Sequence, residues 1–150
     1  MYPVSWSSWL DCTHQSGGYS DLESDDGSYM VFRCNTSNHR YAVAFAFDTD
    51  YTPADVTKIT IESQLHSSRS DSPAFMCMFH KAGGGETAIL DWPGEVWGTT
   101  DTDFTWNTTD VSTYMGSDGT MTVEWCGCYQ NSNNYDVSHD VMRIRLELAQ

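Results

Sequence analysis

The sequence predicts an all-β protein in which two antiparallel sheets pack into a sandwich of jelly-roll type. Short stretches rich in β-branched and aromatic residues alternate with stretches rich in Gly, Asn, Asp, Ser and Pro, which is typical of strands joined by turns. No segment keeps a sustained helical period of apolar residues. Because antiparallel strands with one apolar face each bury those faces most economically in two stacked sheets, we expect a sandwich.

The predicted strands follow one another along the whole chain. They cover residues 29–34, 41–47, 56–63, 74–79, 87–92, 104–106, 120–128 and 141–148. The connections between them carry turn-forming residues, as in 24–28, 67–73, 83–85 and 130–134. Only residues 109–115 are expected to form a helical turn.

Alternation within the strands indicates which faces are buried. In 41–47 one Val and three aromatic residues share one face and three alanines share the other, so we expect a central strand with two apolar faces. In 120–128 the same rule turns Trp125 inward and Glu124 outward. Glu124 would then face the arginines of the last strand if the two strands pair.

Length and charge limit the classes of function. The 150 residues are predicted to form one domain, 1–150. The formal net charge of −14 should repel nucleic acid, anionic membranes and acidic polysaccharides, so we expect a neutral or cationic ligand. The longest strongly apolar stretch, 41–47, is too short to span a bilayer, and the first residues lack the pattern of a signal peptide. We expect a soluble, monomeric module of a longer exported protein.

The five cysteines cannot all pair within one chain, and they lack the short spacings of zinc sites. Cys126 and Cys128 would project from the same strand face, where a mutual disulfide is geometrically poor, but either could bridge to a neighbouring strand. In a protein secreted by an anaerobe, the cysteines would instead be small apolar core residues. Zinc binding by Cys77, His80, Cys126 and Cys128 would require unrelated strands to converge, and we do not favour it.

The C-terminal third carries a resemblance to a known family. It consists of residues 110–115, a Ser-Asp-Gly turn at 117–119, a strand at 120–125, and a loop followed by 135–144 with its Asp140. This resembles the terminal hairpin of the jelly-roll carbohydrate-binding modules attached to bacterial plant cell-wall-degrading enzymes, including those of cellulosomes, and residues 55–62 resemble an internal strand of these modules. The resemblance implies a secreted, non-catalytic sugar-binding module covalently linked to a catalytic domain.

Six tryptophans are more than one small core needs, and an exposed indole suits a sugar ring, which is apolar on its face and hydroxylated at its rim. We therefore expect aromatic stacking on a neutral β-glucan such as cellulose, xyloglucan or mixed-linkage glucan. Trp92 and Trp97 flank a turn-like insertion and Trp106 lies in a polar region, so these three are the first candidates. The second candidates bracket an Asn-rich loop and are Trp125, Tyr129 and Tyr135, with Gln130 and Asn134 as hydrogen-bonding partners. Alternation also leaves a core position open for Trp125 and for Trp97.

No cofactor is required by these patterns, but the resemblance implies a site for structural calcium between the first and last strands. Glu23 and Asp140, with Asp21, stand where that site would be. The segment 21–27 lacks the spacing and the closing Glu of an EF-hand loop. Calcium is therefore an expectation from the resemblance alone.

Two other classes of function remain open. A small jelly-roll glycoside hydrolase would need two carboxylates across a cleft, for which Glu62 and Glu124 on outward strand faces are the candidates. An extracellular adhesion or protein-interaction sandwich would use exposed Trp and Tyr side chains as hot spots. No motif for nucleophilic catalysis or phosphate binding is present, so we expect a protein that is not an enzyme.

Overall fold

The computed structural model describes residues 1–8, 12–34, 40–69, 74–90, 98–128 and 134–150. Within these ranges ten strands form two five-stranded antiparallel sheets. Apolar side chains from both sheets fill the space between them, which confirms the predicted all-β sandwich. None of the described helices is long and apolar enough to cross a membrane.

Each sheet combines strands from distant parts of the sequence. In spatial order, sheet A contains β1 (Ser5–Ser8), β4 (Arg40–Phe47), β9 (Met121–Cys128), β6 (Ala74–His80) and β7 (Glu86–Leu90). Sheet B contains β2 (Cys12–Ser16), β3 (Met30–Cys34), β10 (Tyr135–Leu148), β5 (Val56–Ser67) and β8 (Thr102–Thr108). The helices are short: α1 (Val111–Tyr114) and two 3-10 turns, Tyr19–Leu22 and Pro53–Asp55.

All eight predicted strands are present, with ends that differ by a few residues. Two strands were missed: β1 and β2 are short polar segments, Ser-Trp-Ser-Ser and Cys-Thr-His-Gln-Ser. The last strand was predicted from residue 141, but β10 begins at Tyr135 and changes register between His139 and Val141. This β-bulge interrupts the alternation of faces, and so the sequence pattern revealed only its second half.

The core is built from the inward faces of the central strands. Its largest fully buried side chains include Phe32 of β3, Phe45 of β4, Phe79 of β6 and Trp125 of β9. Edge-to-face contacts join aromatic rings across the two sheets, as between Phe32 and Phe45 with ring centroids 6.3 Å apart. Burial of this apolar surface is the dominant favourable contribution to folding.

The final two strands do not pair, because β9 belongs to sheet A and β10 to sheet B. The expected contact of Glu124 with the arginines of the last strand is therefore wrong. Arg143 and Arg145 instead both form ion pairs with Glu62 of the neighbouring strand β5, which lies directly opposite Arg143.

One end of the sandwich, which we call the loop end, collects the strand ends that flank the undescribed segments. In sheet A the register places Arg40, Cys128 and Ala74 side by side. In sheet B it does the same for Cys12, Cys34 and Tyr135. Segments 9–11, 35–39, 70–73, 91–97 and 129–133 all connect strand ends of this kind.

Candidate functional site

Half of the predicted sugar-binding residues lie outside the described residues. They are Trp92, Trp97, Tyr129 and Gln130. The strands that precede their segments, β7 and β9, run toward the loop end. The predicted role of these residues stays a prediction. Asn134, at the start of β10, is described and exposed.

Trp106 lies in β8, an edge strand of sheet B, and its ring points toward the interior. The ring makes edge-to-face contacts with Phe79 and Tyr114, with centroids 5.9 and 5.8 Å away. The neighbouring Thr105 and Asn107 are exposed on the other face, whereas Trp106 is half-buried. Much of its surface therefore serves the core, and the rest remains accessible at the sheet edge.

Trp125 and Tyr135 are core residues, which corrects their prediction as sugar-binding residues. Trp125 has no exposed surface, and Tyr135 is 1% exposed. The ring of Trp125 meets Phe104 edge to face at 5.2 Å. Neither ring offers a free face to a ligand, since the alternation of β9 and β10 turns both side chains between the sheets.

The outer face of sheet A is lined by small and flexible apolar side chains. Along the central strand β4, the side chains that point away from the core are Ala42, Ala44 and Ala46. Met76 and Met78 of β6 share this face and are partly exposed. We call this surface the sheet A face. The two apolar faces predicted for 41–47 are the sequence signal for it.

The middle of the sheet A face is covered. Ala42 is 0% and Ala44 6% exposed, although both point away from sheet B. Glu124 of β9 stands between Ala44 and Met78 in the register and is only 5% exposed. These three side chains therefore have little surface open to solvent, and Met76 and Met78 form the partly exposed part of the face.

The Glu124 carboxylate is held by two hydrogen-bond partners. His80 Nε2 lies 2.8 Å from Oε2, and the Cys126 thiol donates to Oε1 at 2.8 Å. Burial and this hydrogen bond to the carboxylate raise the pKa of Cys126, because both disfavour a second negative charge. The Cys126 thiol therefore acts as a hydrogen-bond donor to Glu124.

The outer face of sheet B is different in character. Ion pairs cover it, including Arg33 with Asp136 at 2.8 Å and Lys58 with Glu147 at 2.9 Å. The pairing of Arg143 and Arg145 with Glu62 adds to this network. The arginines of the last strand are therefore engaged with a carboxylate on their own face.

The carboxylates proposed for a hydrolase lie on opposite sides of the molecule. Glu62 is on the outer face of sheet B, whereas Glu124 is on the outer face of sheet A. A glycosidic bond has to fit between two carboxylates about 5 to 9.5 Å apart. Glu62 and Glu124 therefore cannot act together on one bond.

The residues expected to hold calcium are only partly suited to it. Asp140 is fully buried at the bulge of β10. Its Oδ2 accepts a hydrogen bond from the Gly27 amide at 3.3 Å. Its Oδ1 has no hydrogen-bond partner among the described residues. Burial raises the pKa of this carboxyl. Glu23 is exposed, and in the described part of the chain neither residue belongs to a group of three metal-ligating side chains. The unpaired oxygen of Asp140 fits a cation, whereas the placement of Glu23 does not add to that fit.

The sequence matches no protein-family model and no curated protein. Its fold, however, resembles solved carbohydrate-binding modules. A CBM4 module shares 12% identity with a TM-score of 0.57, covering 95% of this chain and 94% of the module. A CBM61 module, solved in complex with β-1,4-galactotriose, shares 12% identity with a TM-score of 0.55 over 95% and 88% of the two chains.

Two further structures agree on the fold. The N-terminal cellulose-binding domain of the Cellulomonas fimi β-1,4-glucanase C shares 13% identity with a TM-score of 0.55, covering 86% of this chain and 88% of the domain. An exo-β-agarase shares 10% identity with a TM-score of 0.65, and 99% of this chain matches 24% of the agarase. These likenesses show that the chain has the fold of carbohydrate-binding modules, which also occurs within larger sugar-cleaving enzymes.

Proposed function

We propose that this chain is a non-catalytic carbohydrate-binding module that binds a neutral plant cell-wall polysaccharide of the β-glucan type and directs an attached, exported enzyme to it. The observation that carries the proposal is the fold, which is shared with carbohydrate-binding modules along nearly their whole length. The resemblance of the C-terminal third to such modules, seen in the sequence, supports the same conclusion.

The chemistry of the chain favours a neutral sugar chain. The partly exposed Met76 and Met78 of the sheet A face offer apolar contact. The net charge of −14 repels polyanions. The segments bearing Trp92, Trp97 and Tyr129 connect strand ends at the loop end, and we propose that these rings stack on the sugar.

We further propose structural calcium at Asp140, supported by its buried oxygen without a hydrogen-bond partner. Addition of calcium should raise the melting temperature of the wild type but not that of Asp140→Asn. An equal shift in both proteins would place the ion elsewhere, and no shift would argue against calcium.

The binding proposal is tested by affinity gel electrophoresis against cellulose derivatives, xyloglucan, mixed-linkage glucan, xylan and mannan. Reducing-sugar release is followed in the same mixtures. Retardation by a β-glucan without product is expected. Product formation would show a hydrolase, and no retardation by any polysaccharide would favour the protein-interaction alternative.

Variants then locate the site. Trp92→Ala and Trp97→Ala should each weaken binding by about 1 to 3 kcal/mol if the rings stack on sugar. Met76→Ala should remove partly exposed apolar surface from the sheet A face and weaken binding as well. Tyr51→Ala is the matched control, because Tyr51 is an exposed aromatic residue (43% exposed) beyond the opposite end of β4. Unchanged affinity in the three folded variants would contradict the proposed site.

A further inference from the structure

A group of metal-ligating side chains lies on the outer face of sheet A, toward the end opposite the loop end. His80, Glu86 and Glu124 come from three neighbouring strands, β6, β7 and β9. One ligand atom of each lies within 4.8 Å of the others. Five residues, 81–85, separate β6 from β7, but β9 follows much later in the sequence, so sequence proximity does not indicate this group.

The strand register accounts for this convergence. His80 and Glu86 are directly opposite each other in the β6–β7 hairpin. Across the β6–β9 pair, Glu124 is directly opposite Met78, which precedes His80 by two residues on the same face. All three side chains point away from the core, since Phe79 and Val123 on the alternate positions are buried inside it. They are held by the sheet, which gives a rigid placement of donor atoms.

The Glu124 carboxylate is already oriented toward a common point. It is 5% exposed, and the Cys126 thiol holds Oε1 while Oε2 faces His80 Nε2 at 2.8 Å. A hydrogen-bonded outer partner that fixes a ligand is characteristic of protein metal sites. Cys77, by contrast, is fully buried on the inward face of β6 and does not contribute.

The group carries more negative than positive charge, and a divalent cation would balance it. Two carboxylates, one of them buried, face a single imidazole, and buried charges in proteins are usually paired or bound to metals. The field of Glu124 and Glu86 is strong enough to contribute to the raised pKa of Cys126. One imidazole nitrogen and two carboxylate oxygens suit a borderline transition metal better than calcium or magnesium, which prefer oxygen ligands alone.

We propose that His80, Glu86 and Glu124 form a binding site for a divalent transition metal ion such as Zn²⁺. Tetrahedral coordination places ligand atoms about 3.3 Å apart, so the Nε2 and Oε2 atoms move slightly apart and Glu86 moves inward. The three side chains leave a fourth position for water or for a ligand oxygen. This site is separate from the calcium site proposed at Asp140, which lies on sheet B.

The proposal is tested by calorimetric titration of the chain with Zn²⁺ in the absence of polysaccharide. One equivalent should bind. Co²⁺ in place of Zn²⁺ should give the visible absorption of a tetrahedral complex. Ca²⁺ should not compete.

Variants assign the ligands. His80→Gln and Glu86→Gln should each weaken Zn²⁺ binding at least about ten-fold. Glu86 is exposed, so its replacement tests the site even if Glu124→Gln fails to fold. The matched control is His66→Gln, because His66 Nδ1 also faces a carboxylate, Asp101 at 2.7 Å, but belongs to no such group of three among the described residues.

Three outcomes would overturn the metal site. The first is that Zn²⁺ does not bind at micromolar concentrations. The second is that wild type, His80→Gln and Glu86→Gln bind Zn²⁺ with equal affinity. The third is that Cys12→Ser loses binding and His80→Gln does not, which would assign the ion to thiols. Because no sugar is present, failure of this test leaves the sugar-binding proposal unaffected.

Discussion

Oxidation of Cys12 and Cys34 should join β2 to β3 by a disulfide. The two residues are directly paired in the register, both are buried, and their Sγ atoms are 3.1 Å apart. Directly opposite residues of antiparallel strands have Cα atoms about 4.5 to 5.5 Å apart, which lies within the range that disulfides span. Each thiol loses one proton and one electron to an oxidant such as oxidised glutathione.

The expected stabilisation follows from the loop that the bond would close. Cys12 and Cys34 are 22 residues apart, and the chain-entropy relation for a loop of this length gives about 3 kcal/mol. For a domain of this size that corresponds to an increase in melting temperature of about 6 to 12 °C. The contact with Cys12 and burial raise the pKa of Cys34, so oxidation of the folded protein should be slow.

The assay compares reduced protein with protein refolded in a glutathione redox buffer. Thiols are counted after denaturation, and melting is followed by circular dichroism. The wild type should lose two thiols and melt at a higher temperature, whereas Cys12→Ser should show neither change. Loss of both thiols with an unchanged or lower melting temperature would refute the reasoning. The strain that the disulfide adds to the folded state would then cancel the stabilisation that it gives by restricting the unfolded chain.

Three further predictions concern stability. Trp125→Ala should lower the free energy of unfolding, measured by urea denaturation, by about 3 to 5 kcal/mol, because the ring has no exposed surface. A variant that is as stable as the wild type but binds sugar more weakly would instead assign Trp125 to the site. Gly119→Ala should lower the melting temperature, since Gly119 has φ +86 and a Cβ would lie 2.0 Å from the Thr49 carbonyl oxygen. The control Gly83→Ala, where a Cβ meets open space, should leave the melting temperature nearly unchanged. Equal melting temperatures of the two variants would contradict the argument. Hydrogen bonds from Thr120 lower the pKa of Asp118 below 3.8. The contribution of Asp118 to stability is therefore present above about pH 4 and lost as the pH falls through the folded pKa. In Asp118→Asn the melting temperature should fall less steeply at acid pH than in the wild type, and an equal dependence of melting temperature on pH would show that Asp118 contributes nothing.

The fold could be predicted from the sequence because its long strands obey the period of two. The strand at 41–47 and the second half of β10 alternate without interruption, and both were located within a few residues. β1 and β2 could not be found this way, because short edge strands carry few apolar residues. Pairing was less accessible than strand position: β9 and β10 follow each other in sequence, yet they belong to different sheets.

The candidate site was harder to predict because the aromatic residues that suggest sugar stacking also build the core. Trp125 and Tyr135 lie in the core, as the alternation of β9 allows for Trp125. The alanines of β4 indicate only a central strand, since small side chains carry no chemistry of their own. Their meaning depends on the neighbours that β6 and β9 place beside them, and that is a property of the sheet order.

The described ion pairs are distributed unequally over the two outer faces. Those of Arg33, Lys58, Arg143 and Arg145 with carboxylates all lie on sheet B. On sheet A the buried carboxylate of Glu124 has the imidazole of His80 as its described ion-pair partner. If sheet A binds a metal ion as proposed, this carboxylate among apolar side chains would supply the attraction for the cation at the His80 end of the sheet.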